Sequence, residues 1–316
     1  MTEAKITRII EDNYGFRVLG LKPAPRQFVA ETWFAESENK QRFFVKYIDK
    51  QLFIPEVVAS LPVLDAMHKA GIDRINWPIL TNANNYYVEI DKAILVLFNA
   101  FDALQSYDYS EEAFGSLLAK IHGITAMIEV PIPTEDYSYA YKDSFESRLE
   151  GILSSQLVTD EVTKKLKQIL LKYEKRIRFE YDLFQSLTKQ MIGLDLPKVI
   201  THGDAGGNTL VKSPNDLYII DWDSILLAPA ERDTWIPSSK FFVGYNKVVP
   251  TFTPNKVSTD FYTLMYYFRS MAQYFDEIIS EKTDEHRLEN LHAIEHDFLE
   301  GWIKKFLLRV YSKSGS

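Results

Sequence analysis

The sequence predicts an α+β, two-lobed chain: a β-rich first third, a helical remainder, and one isolated hairpin set inside the helical part. Three observations carry this expectation. Apolar residues follow a two-residue period up to about Phe98 and a 3.6-residue period from Glu111 onward. The runs flanking the turn Ser213-Pro214-Asn215-Asp216 return to strand composition. Strands do not alternate regularly with helices, which argues against doubly wound and barrel layouts. With 316 residues the chain has room for one large or two ordinary domains and needs no covalent staple to hold a core.

The elements follow in order. Phe28–Phe34 and Gln41–Tyr47 are β-prone runs, and the polar stretch Glu36–Lys40 joins them as a hairpin loop. Val57–Lys69 places Val58, Leu61, Leu64 and Met67 at helical spacing, with Gly71 where a C-terminal cap belongs. Pro62 falls inside that run, so the helix either begins there or is kinked. Tyr86–Ile90 and Ala93–Phe98 are two more strands around the short loop Asp91-Lys92. Glu111–Gly123 is a helix with Phe114, Leu117, Leu118 and Ile121 on one stripe. Thr159–Ile192 is a long helical stretch, interrupted or bent, whose 161–192 part carries 8 basic and 4 acidic residues. Asn208–Lys212 and Leu217–Asp221 form the hairpin. Residues from about Asp260 to Val310 are aromatic-rich helix, and the last five form a frayed tail.

Composition removes several function classes. Lys and Arg total 36 against 44 Asp and Glu, and a net charge of −8 lacks the basic footprint of a general nucleic-acid binder. No run of 18 apolar residues marks a membrane span, and the start Met1-Thr2-Glu3-Ala4-Lys5 is not a secretory signal. The absence of cysteine excludes disulfides, thiolate metal sites and thiol nucleophiles, and is consistent with a cytoplasmic location. Any chemistry must run on carboxylates, amides, lysine and metal.

Those groups concentrate between residues 195 and 235, where seven acids face three bases. The stretch reads Thr201-His202-Gly203-Asp204-Ala205-Gly206-Gly207-Asn208, then Ile220-Asp221-Trp222-Asp223. A hairpin brings its ends together, so Asn208 and Asp221 should lie close. Both offer hard oxygen ligands suited to Mg²⁺ beside phosphate. Asp204, in the glycine-rich turn just before them, is placed to accept a proton or hydrogen bond from a hydroxyl.

His-Gly-Asp-x-x-x-Asn followed by Ile-Asp-Trp-Asp resembles the catalytic and metal loops of the aminoglycoside phosphotransferase and choline kinase-like family, which has the protein-kinase fold. Pro229-Ala230-Glu231-Arg232-Asp233 is similar to its spectinomycin-type branch, and Phe114–His122 to its first C-lobe helix. The resemblance spans roughly residues 30–275 and is specific between 201 and 233. It implies a bilobal fold, with residues 1–98 as the nucleotide lobe and 99–316 as the helical catalytic and acceptor lobe. It also implies transfer of the γ-phosphate of ATP, with Mg²⁺, to a hydroxyl of a small molecule such as an aminoglycoside or aminocyclitol.

Carried over by position, Asp204 would be the catalytic base, and Asn208 and Asp221 would hold Mg²⁺. Lys46 would grip the α/β-phosphates, with Glu56 as its partner. Phe98, Asn99 and Ala100 would form the hinge whose backbone holds adenine. His202 would order the loop and Asp233 would support it from behind. Asp223 and Glu231 would face a cationic acceptor. The sequence departs from the family in two places. Three residues rather than four separate Asp204 from Asn208, and the phosphate-side turn 20–27 holds one glycine and two prolines, with Lys22 or Arg26 as substitute charge. These departures keep open a non-catalytic member of the same fold, beside kinases of homoserine, choline or methylthioribose type. His122 reads as structural. The pair His292 and His296 lacks a third metal ligand at a telling distance. Tyr137, Tyr139 and Tyr141 read as a packed loop.

Overall fold

The computed structural model describes residues 1–24, 30–138, 140–235, 238–280 and 283–301, with the backbone course alone at 140–143. Arg26, Phe28, Val29, Tyr139, the Tyr141 side chain, and the end of the expected last helix with its tail lie outside the described residues. The chain divides into two compact units. One comprises Met1–Thr134, Pro197–Asp233 and Pro237–Phe252, and the other comprises Glu135–Leu196, Thr234–Ile236 and Thr253–Ser316.

The first unit is built on an antiparallel sheet ordered β1-β2-β3-β5-β4. Its strands are β1 (Val18–Pro23), β2 (Glu31–Ser37), β3 (Arg42–Ile48), β4 (Val88–Ile90) and β5 (Ala93–Asn99). β5 is buried on both faces, which is why Ala93–Phe98 is an unbroken apolar run. Leu95 and Leu97 pack with Trp33, Ala35, Phe43 and Val45 against helix α1 (Glu3–Tyr14). α1 was not anticipated: its charged outer face hides a short stripe of Ile6, Ile10 and Tyr14, four residues apart. Ile94, Val96 and Phe98 point the other way, into a core shared with helix α2 (Ile54–Lys69).

α2 starts earlier than the stripe suggested and runs through Pro62. Its end is a Schellman motif: Gly71 N–H bonds His68 O, Ile72 N–H bonds Met67 O, and Gly71 has φ +94°. The segment that follows is a strap between β5 and the hairpin. Ile79 N–H bonds Leu97 O and Asn99 N–H bonds Trp77 O, while Ile219 N–H bonds Arg74 O.

The hairpin forms as expected, with β8 (Thr209–Ser213) paired to β9 (Asp216–Ile219) and to the short β6 (Leu104–Gln105). A second pair joins β7 (Lys198–Thr201) to β10 (Leu226–Pro229). Helix α3 (Glu111–Gly123) crosses α7 (Ser239–Val248) beneath these strands. The backbones nearly touch: a Cβ added at Gly244 would stand 1.9 Å from Glu112 O, and one at Gly115 would stand 2.3 Å from Phe241 O. One helical turn, α6 (Glu231–Thr234), follows β10.

The second unit is helical, with α4 (Ala140–Leu153), α5 (Glu161–Gly193), α8 (Lys256–Ser280), α9 (Asp284–His292) and a π-helical stretch Ala293–Leu299. Its core is aromatic, centred on Phe145, Tyr181, Phe184, Phe261, Phe268 and Phe275, and absorbs much of the aromatic excess of the composition. α5 is one helix rather than the interrupted stretch expected. Asp160 caps it, accepting from Thr163 N–H at 2.9 Å and pairing with Arg287 of α9. Those bonds, the backbone N–H of Thr163 first, hold the Asp160 carboxyl down at about 2. Tyr137 is buried edge-on against Phe261, in keeping with a packed loop. The rings of His292 and His296 touch at 4.4 Å. No helix among the described residues is long and apolar enough to cross a membrane.

Candidate active site

The site lies wholly within the first unit, where β3 and the loops around the hairpin meet. Lys46 sits on the α2-side face of β3 between Thr32 and Val96. Its side chain is 2% exposed, and such a cation is stable only when paired. Its ammonium donates to Asp221 at 2.8 Å and to Asp223. Burial alone would lower the lysine pKa, but Asp223 and Asp221 outweigh it and raise it, so Lys46 stays charged. Burial raises the Asp223 carboxyl, Lys46 pulls it back, and Asp221 pushes it up; the net direction is upward.

Three expectations change here. Glu56 lies exposed in the first turn of α2 and does not reach Lys46, whose buried ammonium is turned toward the hairpin instead. Asp223, expected on the acceptor side, closes on Lys46. Glu231 is also displaced from that role: it is 5% exposed, buried at the start of α6 near Tyr245.

Asp221 follows β9 with φ +66°, in the left-handed region that non-glycine residues avoid. Ile220 N–H bonds Asn208 O at 2.9 Å, so the hairpin ladder continues and brings Asn208 and the Asp221 backbone side by side. The Asn208 amide donates to Asp204 O at 3.0 Å and faces Asp204 Oδ2 at 3.4 Å. The shortened loop closes as a turn, with Asn208 N–H on Ala205 O. Gly207 gives it room, because a Cβ there would stand 3.3 Å from Asp204 Oδ1.

Asp204 is held through its neighbours. Its N–H donates to His202 Nδ1 at 3.1 Å. That nitrogen is therefore an acceptor, and the ring proton sits on Nε2, where it meets Ile220 O at 2.8 Å. Trp222 packs on the same ring at 4.5 Å. The Asp233 side chain lies behind the loop with no exposure and accepts from His202 N–H at 2.8 Å and Gly203 N–H at 2.5 Å. Burial works to raise the Asp233 pKa, but bonding and charge from His122, with Arg232 and His202, hold it below the usual range. Arg232 is buried against Thr201 Oγ1 at 2.9 Å and Ser224 O at 3.0 Å. His202 and Asp233 thus meet at the backbone of the loop that carries Asp204.

At the hinge, Phe98 is buried and paired with Phe44. The Asn99 N–H is taken by Trp77 O and the Ala100 N–H by Arg42 O, so these two donors serve the fold. His122, read from the sequence as structural, is buried between Tyr245 and Asp233; sequence reasoning missed Tyr245, Gly203 and Gln105, whose amide donates to Gly207 O at 2.9 Å. Only Gly203 carried a local signal. It sits at φ +89°, and a Cβ there would meet the Arg232 guanidinium at 2.4 Å. Among the described residues no group of three or more His, Asp and Glu is arranged to hold a metal by itself. The donor set at Asn208 and Asp221 is hard oxygen, which suits Mg²⁺ completed by phosphate.

No family model and no curated relative matches the sequence. Solved structures do. The chain superposes on spectinomycin phosphotransferase APH(9)-Ia in complex with ADP and spectinomycin, with a TM-score of 0.79 at 21% identity over 98% of this chain and 99% of that one. It is similar to amicoumacin kinase hAmiN in complex with AMP-PNP, Ca²⁺ and Ami, with a TM-score of 0.62 at 13% identity over 96% and 97%. It is also similar to choline kinase LicA from Streptococcus pneumoniae, with a TM-score of 0.57 at 14% identity over 97% and 99%. These neighbours are small-molecule phosphotransferases and kinases. The strand lysine, the loop aspartate and the hairpin carboxylate described above are therefore set in the protein-kinase-like fold that these neighbours share.

Proposed function

We propose that this chain is an ATP- and Mg²⁺-dependent phosphotransferase that moves the γ-phosphate to a hydroxyl of a small molecule, with a cationic aminocyclitol of spectinomycin type as the acceptor class. The observation that carries the reading is the buried contact of Lys46 with Asp221 and Asp223, together with an Asp204 loop that Asp233 holds by the N–H groups of His202 and Gly203. In this reading residues 1–98 form the nucleotide lobe, and 99–316 carry the catalytic loop and the acceptor side. The similarity to nucleotide-bound phosphotransferases supports it.

Each residue then has a chemical task. Lys46 exchanges a carboxylate for α/β-phosphate oxygens, an exchange between anionic partners that leaves its charge paired. Asn208 and Asp221 would hold Mg²⁺, and the ion, when bound, supplies positive charge beside the β/γ-phosphates. Asp204 accepts the hydrogen bond of the acceptor hydroxyl and orients its oxygen. That oxygen bonds to the γ-phosphorus as the bond from phosphorus to the ADP oxygen breaks, and the hydroxyl proton passes to Asp204. Positioning and charge do most of the work. The acid count that suggested a cationic acceptor is thinned, because Lys46 neutralises Asp223 and Glu231 is buried. The acceptor class therefore rests on the 221–233 stretch and on the likeness to the spectinomycin enzyme.

A second reading, a non-catalytic member of the same fold, is favoured by two observations. The Asn99 and Ala100 donors are already used, and the Asp204–Asn208 loop is short. One assay separates the readings: labelled ATP with Mg²⁺ across spectinomycin, aminoglycosides, choline, homoserine and methylthioribose. Transfer to spectinomycin, lowered at least on the order of 10²-fold by Asp204→Ala with the fold intact, is the expected result. Transfer to choline or another metabolite alone would move the acceptor class. Full turnover of Asp204→Ala would remove the role given to Asp204.

A further inference from the structure

The loop from Asp204 to Asn208 is one residue short, and two of the three residues inside it are glycines. A chain of this kind closes easily but holds one shape poorly, because a peptide unit beside glycine turns over at little steric cost. The unit that matters is the peptide between Gly207 and Asn208, which launches the Asn208 side chain. Its N–H is taken from inside the turn by Ala205 O, in a long bond of 3.3 Å. Its C=O is taken from outside by the Gln105 amide at 2.9 Å. Ala205 O also accepts from the Thr209 hydroxyl at 2.9 Å, and Asp204 O accepts from the Asn208 amide at 3.0 Å. Those two bonds tie the loop to its own hairpin, whereas Gln105 comes from the segment after β5. Gln105 is placed there by β6: Leu104 and Gln105 pair with Val211 and Leu210 of β8, and Ser106 N–H bonds Thr209 O at 3.3 Å. Core packing does not account for an amide at this position, since Gln105 is exposed and its neighbours Leu104 and Tyr107 are each 79% exposed.

We propose that Gln105 is a positioning residue for Asn208, bracing the Gly207–Asn208 peptide in place of the residue that the loop lacks. With the brace, turning this peptide over breaks a bond at each of its ends. Without it, the long bond to Ala205 O alone resists. A turned peptide carries the Asn208 side chain with it, loosens the Asn208 amide from Asp204 O, and swings that side chain away from its place beside the Asp221 backbone. One ordinary neutral hydrogen bond is worth about fivefold in the population of the held form. The metal role of Asn208 rests on the phosphotransferase reading; the brace on its backbone does not.

The test uses the full chain, two single variants and their combination. Gln105→Met keeps the reach of the side chain and removes its donor; at an exposed site it should leave Tm within about 2 °C of wild type. Gly206→Ala stiffens the loop from within, because Gly206 is not among the glycines with a left-handed φ and a Cβ there would meet the Tyr109 hydroxyl at 3.9 Å, an ordinary contact. For each chain the measurements are kcat and KM with spectinomycin, the Mg²⁺ concentration giving half the maximal rate, and hydrogen exchange at the Asn208 amide without ligands. Gln105→Met should lower kcat about 3- to 10-fold, raise the Mg²⁺ requirement by a similar factor, and leave KM for spectinomycin within about 2-fold. Its Asn208 amide should exchange about fivefold faster. Gly206→Ala should offset part of both losses in the Gln105→Met chain, by a larger factor than it changes either quantity in wild type, since the two substitutions act on one peptide. Unchanged exchange at Asn208 in Gln105→Met overturns the proposal. So does faster exchange in an active chain whose kcat and Mg²⁺ requirement stay at wild-type values, or a loss that Gly206→Ala does nothing to offset. Faster exchange in a chain that transfers phosphate to no acceptor would sink the phosphotransferase reading and leave the brace standing.

Discussion

Asp221 occupies a left-handed backbone conformation at φ +66°, which costs a non-glycine residue on the order of 1–3 kcal/mol. Its carboxylate is held there by Lys46, so the strained backbone and the buried cation stabilise each other. Gly203 is the opposite case. It needs φ +89°, and the space beside its Cα is filled by the guanidinium of Arg232, which is itself fixed by Thr201 and Ser224. Gly203→Ala therefore meets both a backbone penalty and a rigid clash. A loss of about 2 kcal/mol or more in denaturant unfolding is expected, together with a fall in kcat. A variant as stable and as active as wild type would show that the loop is not locked by Arg232. At this scale the neighbourhood of Asp204, Asn208 and Asp221 was legible from the glycine-rich turn and the hairpin ends, whereas Lys46 was singled out only by the resemblance. The partner of Lys46 was not legible. An exposed first-turn acid and a buried hairpin acid look alike in sequence, and only the direction of the β3 side chain separates Glu56 from Asp223.

At the scale of elements, the α3–α7 crossing sets the geometry behind the loop. Gly244 and Gly123 make a controlled pair for its test. Gly244→Ala would press a methyl into Glu112 O and should destabilise by about 1–3 kcal/mol or more, because neither backbone can yield without parting the helices. Gly123, the last residue of α3, has nothing within 4 Å of its missing Cβ, so Gly123→Ala should be neutral or stabilising by up to about 1 kcal/mol. Thermal unfolding of the two variants measures both. Equal effects would show that the close crossing is not what holds α7. The α3 stripe was readable from Phe114, Leu117, Leu118 and Ile121, and the hairpin from its turn. α1 and the contact with α7 were not: α1 buries only Ile6, Ile10 and Tyr14 under a charged surface, and a small-residue crossing leaves no periodic signal.

For the molecule as a whole, the expected consequence of the site is linkage. A ligand that binds only the folded chain stabilises it, by about 2.7 kcal/mol at a hundredfold excess over Kd. ATP with Mg²⁺ should raise Tm by several degrees, ATP without Mg²⁺ by less, and Lys46→Met should abolish the difference. No shift at millimolar nucleotide, with or without Mg²⁺, would remove the nucleotide from the proposal altogether. The net charge of −8 does not translate into an open acidic surface at the site, because two of its acids are consumed in contacts with Lys46.

The sequence by itself determined the strand and helix periods, the hairpin, the order of the motif residues and the chemistry left to a chain without cysteine. These are properties of neighbours along the chain, where period and spacing act directly. Tertiary structure alone decided that Lys46 faces Asp221 and Asp223, that Glu231 is buried, that the hinge donors at Asn99 and Ala100 serve the strap and β3, and that His122 stands behind Asp233. Each of these joins residues from 22 to 177 positions apart, or turns on which way a side chain leaves its strand or helix. Burial and pairing of charge, which no local pattern encodes, select among them.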